Sequence, residues 1–186
     1  MSVNAKEKIL AAARRAAQAH GYGGLNFRDL AAEVGIKAAS IHYHFPGKAD
    51  LGAAVARRYW EDTAAGLEAL LAESADAAGA LRRYPGTFRT ALENGNRMCL
   101  SSFLAAETDD LPEAVKQEVR TFGDINVAWL ARMLAAAGVA AGESEARARA
   151  IFAAVAGAQL MARSRSDIAL YDAMIESYRT AGLLPV

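Results

Sequence analysis

The feature that most constrains this chain is Gly35. It stands between two short runs, Phe27 to Val34 and Ala38 to His44, with apolar residues at helical spacing: Leu30, Ala31 and Val34, then Ile41 and Phe45. A glycine just past a helix permits the left-handed backbone that ends it. A second helix can then begin within a few residues, and two short helices joined in this way form a helix-turn-helix. A third helix is expected before them. Asn4 and Glu7 have the spacing of a capping box, and Ile9, Ala12, Ala13, Ala16 and Ala17 form one apolar face. Gly21, Gly23 and Gly24 end that helix. No strand precedes the "GYGG" and no helix starts directly on it, so it reads as a flexible C-terminal cap and not as a phosphate loop. Asn26 is placed to cap the second helix, and Pro46-Gly47 stop the third.

The remainder also reads as helix. A long helix is expected from Lys48 or Ala49 to about Ser74, followed by helices at 77–94, 97–107, 112–138, 143–163 and 168–181. The composition is Ala-rich, and apolar and polar residues nowhere alternate strictly, so no sheet is expected. The fold class is therefore all-α, with about nine helices: a three-helix head over residues 1–48 joined to a larger helical body over 49–186. One cysteine excludes an internal disulfide framework and a cysteine-based structural zinc. The N-terminus lacks the pattern of a signal peptide. The longest apolar run, Ile151 to Ala162, falls short of the ~20 residues a bilayer needs, so a cytoplasmic protein with no membrane partner is expected.

The net charge of zero hides an asymmetry. Residues 1–60 carry nine Lys and Arg against four acids, +5, and the rest of the chain carries −5. All three histidines also lie in those first 60 residues. A basic end on an acidic body suits a polyanionic partner. Metal binding does not fit, because His42 and His44 stand two apart and point about 200° away from each other on a helix. His20, Ser40 and Asp50 make a catalytic trio only on paper, since nothing in their spacing implies contact. DNA fits better. Ala38, Ala39 and Ser40 are small enough to let a helix approach a groove floor. Lys37, His42, Tyr43 and Lys48 offer donors around them, while Ile41 and Phe45 anchor the helix inward.

The stretch "FRDLAAEVGIKAASIHYHFPGKADL" resembles the DNA-binding signature of the TetR family of bacterial transcriptional repressors. Leu30, Ala31, Val34, Gly35, Ser40, Ile41, His44, Phe45, Lys48 and Leu51 match the pattern. The resemblance implies double-stranded operator DNA as partner, with Asn26, Arg28, Lys37, Ala38, Ala39, Ser40, His42, Tyr43 and Lys48 at the interface. The chain departs from the pattern at Asn26, Lys37, Ala39 and His42. Where His42 stands the family often has a phosphate-gripping tyrosine, and Lys37 would supply a compensating phosphate contact.

For the body, the resemblance implies a homodimer, a small-molecule effector, no cofactor and no catalysis. The expected dimer face uses "ARAIFAAVAGAQLMA" and the closing helix: Ile151, Phe152, Val155, Leu160, Ile168, Tyr171, Met174, Ile175 and Tyr178. An ordinary intrachain core is the alternative for them. Tyr84, Phe88, Met98, Cys99, Phe103, Phe122, Asn126, Trp129 and Met133 are expected around an effector pocket, although such a set also suits plain core. The stretch around Cys99 is similar to a subgroup of the family containing the NemR and AcuR repressors. Placed at a helix start near Arg97, Cys99 would sense electrophiles; its alternative role is that of a small buried hydrophobe. A protein-interaction module with a degenerate head and a thiol-dependent enzyme are the other readings.

Overall fold

The computed structural model describes residues 3–185, with side chains except those of Val3, Asn4 and Ala141. The expected Asn4–Glu7 cap thus lies outside the described residues. The first four helices are α1 (Val3–His20), α2 (Phe27–Val34), α3 (Ala38–His44) and α4 (Lys48–Ala72). They are followed by α5 (Ala77–Arg83), α6 (Pro85–Glu93), α7 (Leu100–Ala106), α8 (Glu113–Ala136), α9 (Ala141–Arg165) and α10 (Ile168–Thr180). Single 3₁₀ turns lie at Tyr22–Gly24 and Thr108–Asp110, and no strand occurs among the described residues.

Two boundaries differ from the sequence expectation. The single helix expected over 77–94 is two, because Pro85 has no N–H to continue the hydrogen-bond ladder, although Tyr84 keeps right-handed backbone (φ −50°, ψ −44°). The helix expected from residue 97 starts at Leu100. Gly95 and Asn96 adopt φ of 80° and 56°, and the Arg97 N–H donates back to the Ala91 carbonyl at 2.9 Å, which closes α6.

The chain forms two compact units. The first comprises residues up to Asp62 together with Leu100–Phe122. In it, α1, α2 and α3 pack on one another around Ile9, Ala12, Ala13, Leu30, Ile41 and Phe45, and the start of α4 adds Leu51 and Val55. Each large side chain among these contributes roughly 1.5–3 kcal/mol on burial. α7 also packs on α1. The second unit comprises Thr63–Cys99 and Gly123–Val186. Here α9 packs against α6 and α10 around Leu81, Tyr84, Phe88, Leu130, Ile151, Val155, Tyr171 and Ile175. The functional division expected at residues 48 and 49 runs inside the first unit, and α4 and α8 each contribute to both.

Candidate nucleic-acid interface

The turn that presents α3 is built locally. The Asn26 carboxamide oxygen accepts the N–H groups of Arg28 (2.9 Å) and Asp29 (3.3 Å) and starts α2. Gly35 ends it in left-handed backbone (φ 74°, ψ 37°), and the Ile36 N–H returns to the Ala31 carbonyl at 3.0 Å. α3 begins two residues later. Ile41 and Phe45 fix its inner face, both almost completely buried. Its outer face is open: Lys37, Ala38, Ala39, His42 and Tyr43 are exposed and Ser40 is half-buried. Tyr43 is 77% exposed, an unusual position for so large an aromatic ring. His42 leans on Phe27, ring centroids 4.6 Å apart, with its Nδ1 3.4 Å from the Pro46 carbonyl. The His44 Nε2 is buried without a hydrogen-bond partner among the described residues.

The charges of this unit sort into two groups. Arg14 pairs with Asp62 at 3.0 Å, Arg15 with Glu33 at 2.7 Å, Arg57 with Glu118 at 2.6 Å and Arg58 with Glu7. Arg28, Lys37 and Lys48 have no carboxylate partner among the described residues. The three cations expected at DNA phosphates are thus among those left uncompensated, as are Lys6, Lys8 and Lys116. Lys48 opens α4, where the Asp50 carboxylate accepts the Gly47 N–H at 2.9 Å.

The same unit holds a carboxylate that the sequence reading missed. Glu118 accepts the Arg57 Nε and Nη2 at 3.1 and 2.6 Å and the Trp60 indole N–H at 2.7 Å. Burial pushes its pKa up, but the Arg57 and Trp60 hydrogen bonds and the Arg57 charge together hold it below the ordinary value.

The residues expected at an effector pocket divide between the two units. Phe103 and Phe122 belong to the first, where Phe122 stacks on Tyr59 at 5.4 Å. Tyr84, Phe88, Met98, Cys99, Asn126, Trp129 and Met133 belong to the second, and all are buried. There they surround a polar cluster. The Tyr84 hydroxyl donates to the Asn126 Oδ1 at 2.9 Å, and Trp129 stacks on Tyr84 at 5.8 Å. The Gln159 Oε1 accepts the Cys99 N–H at 2.9 Å, while its Nε2 donates to the Phe88 carbonyl at 2.6 Å. Burial first, then Cys99 and Tyr171, push the Tyr84 phenol well above its ordinary pKa. Gln159 also escaped the sequence reading, as the one polar residue in the apolar run from Ile151 to Ala162. Cys99 does not start an exposed helix: it is 2% exposed, one residue before α7. Trp129 also lines a cavity of about 500 Å³ with Leu67, Ile125 and Ala128, beside the Glu68–Arg132 ion pair, and its indole N–H is buried with no acceptor among the described residues.

The residues expected at a dimer face divide by burial. Ile151, Val155, Tyr171 and Ile175 are buried within the single chain, where the alternative of an ordinary intrachain core would place them. Their side chains fill the space between α9, α6 and α10; the Tyr171 hydroxyl donates to the Pro85 carbonyl at 2.7 Å. Tyr171 and Ile175 reach only the wall of a groove of about 890 Å³ that Arg89, Asp172 and Arg179 also line. Phe152, Ile168, Met174 and Tyr178 are half-buried. Leu160 and Met161 are 54% and 43% exposed, next to exposed Ala153 and Gly157 on the same helix.

Fold and face together define a helix-turn-helix DNA-binding regulator. The sequence profile of "Bacterial regulatory proteins, tetR family" matches residues 9–55. A TetR transcriptional regulator from Legionella pneumophila is 30% identical over 97% of both chains, with a TM-score of 0.89. A TetR-family regulator from Agrobacterium tumefaciens is 33% identical over 94% of this chain and 95% of its own, TM-score 0.86. The reduced form of E. coli NemR is similar in fold at 20% identity, over 95% of this chain and 96% of its own, TM-score 0.83. A search of curated proteins gave no match. The chain belongs to the TetR family of transcriptional regulators. No helix among the described residues is long and apolar enough to cross a membrane.

Proposed function

We propose that the protein is an operator-binding repressor that works as a homodimer and leaves DNA when a small molecule enters its body. The observation that carries this reading is the outer face of α3. Tyr43 stands 77% exposed there beside Ala38, Ala39 and His42, flanked by Arg28, Lys37 and Lys48, which have no acidic partner among the described residues. Such a face has small residues for close approach to base edges and free cations for phosphates on either side. Two copies reading a palindrome would place their α3 helices about 34–36 Å apart. The exposed α9 strip of Ala153, Gly157, Leu160 and Met161 supports the dimer, because small residues admit a close helix and the two large ones lack burial in one chain. The buried cluster of Tyr84, Asn126, Cys99 and Gln159 supports effector control: polar groups satisfied by one another can be re-paired by a ligand. α4 and α8, shared by both units, give that change a route to the head, as a difference in effector affinity between two states.

Modification of Cys99 by an electrophile, which the resemblance to NemR-like repressors implies, is the second form of this control. It requires the reagent to enter the body, since the thiol is covered. Fluorescence anisotropy of DNA from upstream of the protein's own gene, before and after a small quinone, tests both. Binding that collapses with quinone in wild type and persists in Cys99→Ser supports the thiol route. Binding that survives quinone assigns release to a noncovalent ligand. Absence of binding at low salt would refute the repressor reading for that DNA and favour an interaction module with a degenerate head.

A further inference from the structure

We propose that Tyr22 is a positioning residue for DNA binding: its ring holds the Lys48 ammonium ready for a backbone phosphate. The inference rests on Lys48 being a phosphate contact. The Lys48 Nζ lies 4.6 Å from the centroid of the Tyr22 ring and 3.5 Å from the Gly23 carbonyl oxygen. The negative face of an aromatic ring attracts an ammonium. A lysine has three N–H donors on a flexible four-carbon stem. The ring and one carbonyl fix that stem while leaving donors for an anion. A carboxylate in their place would also fix it, but would neutralise the charge the phosphate needs. No acid pairs with Lys48 among the described residues, whereas Arg14, Arg15, Arg57 and Arg58 each have one.

Tyr22 is itself fixed from two sides. Its N–H donates to the Glu107 carboxylate at 2.7 Å. Its ring lies against α4 at Gly52, where a Cβ would stand 2.8 Å from the ring edge and 3.1 Å from a Val115 methyl. Gly21 fits the same arrangement, since it has φ 63° and a Cβ there would overlap the Glu107 carboxylate. Burial, and secondarily the Asp50 charge, raise the Tyr22 phenol pKa, so the ring stays neutral beside the ammonium. The "GYGG" turn, which as sequence reads as a loose cap, therefore seats the cation at the start of α4.

Phosphate contacts are independent of sequence, so a mixed-sequence duplex suffices for the test. Affinity would be measured by anisotropy over a salt series for the wild type, Lys48→Ala, Tyr22→Leu, Tyr22→Phe and the double variant Tyr22→Leu/Lys48→Ala. Lys48→Ala should reduce the slope of log affinity against log salt by about 0.9. Tyr22→Leu should weaken binding about two- to fivefold. Tyr22→Phe, which keeps the ring, should bind like the wild type. In the Lys48→Ala background the Leu substitution should cost nothing further. Equal losses in both backgrounds would make Tyr22 merely structural and overturn the inference. An unchanged Tyr22→Leu beside a weakened Lys48→Ala would overturn it alone, while wild-type binding by Lys48→Ala would overturn the phosphate contact as well. If Tyr22→Leu does not fold, pentafluorophenylalanine in place of Tyr22 keeps the ring's shape and reverses the charge of its face. The same loss is expected there, and undiminished affinity refutes the proposal.

Discussion

Glu118 shows how much of the first unit's order rests on single side chains. Its carboxylate is buried, yet it stays ionised because Arg57 and the Trp60 indole donate to it. Removing the charge leaves those donors with a weaker acceptor, so Glu118→Gln should lose about 1–3 kcal/mol at neutral pH. The folded state holds this carboxyl below its ordinary value, and the unfolded chain therefore binds more protons in mild acid. The stability it contributes is complete above the ordinary carboxylate range and falls as pH drops through the depressed folded value. Urea unfolding of both proteins at about pH 7 and about pH 3 checks this: the gap should be wide at the first and narrow at the second. A constant gap would mean that Glu118 acts through shape and not charge. Gln159 works in the same way in the body, filling both ends of its carboxamide with the Cys99 N–H and the Phe88 carbonyl.

At the scale of elements, the head depends on a turn that only a left-handed residue can make. Gly35 has φ 74°, and a Cβ added there would meet no atom within 4 Å, so crowding plays no part in an alanine substitution. Gly35→Ala should therefore cost backbone strain alone, about 1–2 kcal/mol. Gly35→Asn should cost less, because asparagine tolerates this conformation. Thermal unfolding of the two variants separates strain from packing: equal losses would contradict this account. The same logic explains why α5 and α6 are two helices. Pro85 interrupts hydrogen bonding without altering the backbone angles of Tyr84, a break that apolar periodicity does not register.

For the whole molecule, the question is which apolar surface remains after one chain has folded. Ile151, Val155, Tyr171 and Ile175 are used internally, and Leu160 and Met161 are the large apolar side chains left exposed on α9. Leu160→Asp should therefore leave the fold intact and lower the mass in sedimentation from two chains to one. An unchanged mass with unchanged helical signal would place the dimer contact elsewhere; a mass of one chain for the wild type would remove the dimer altogether.

Much of this was legible in the chain because it is local physics. Helix ends are set by residues such as Asn26, Gly35 and Pro46, and the inner faces of α1 to α3 by spacing, so the helix-turn-helix could be read from the residues alone. The exposed face of α3 was legible for the same reason: a helix with Ile41 and Phe45 inward presents Ala39, His42 and Tyr43 outward. Contacts between residues distant in sequence were not legible. Glu107 meets Tyr22 across 85 positions, Glu118 meets Arg57 across 61, and Gln159 meets Cys99 across 60. Burial along α9 was likewise undecided, since this Ala-rich helix offers no dominant apolar face from which to tell core from surface. By itself the sequence determined the helices of the helix-turn-helix, the caps at Asn26 and Gly35 and the face that α3 turns outward, because these follow from each residue's own backbone and periodicity. Only the tertiary structure decided which charges are neutralised, where Cys99 is covered and what seats Lys48, because those depend on which distant side chains share the same few ångströms.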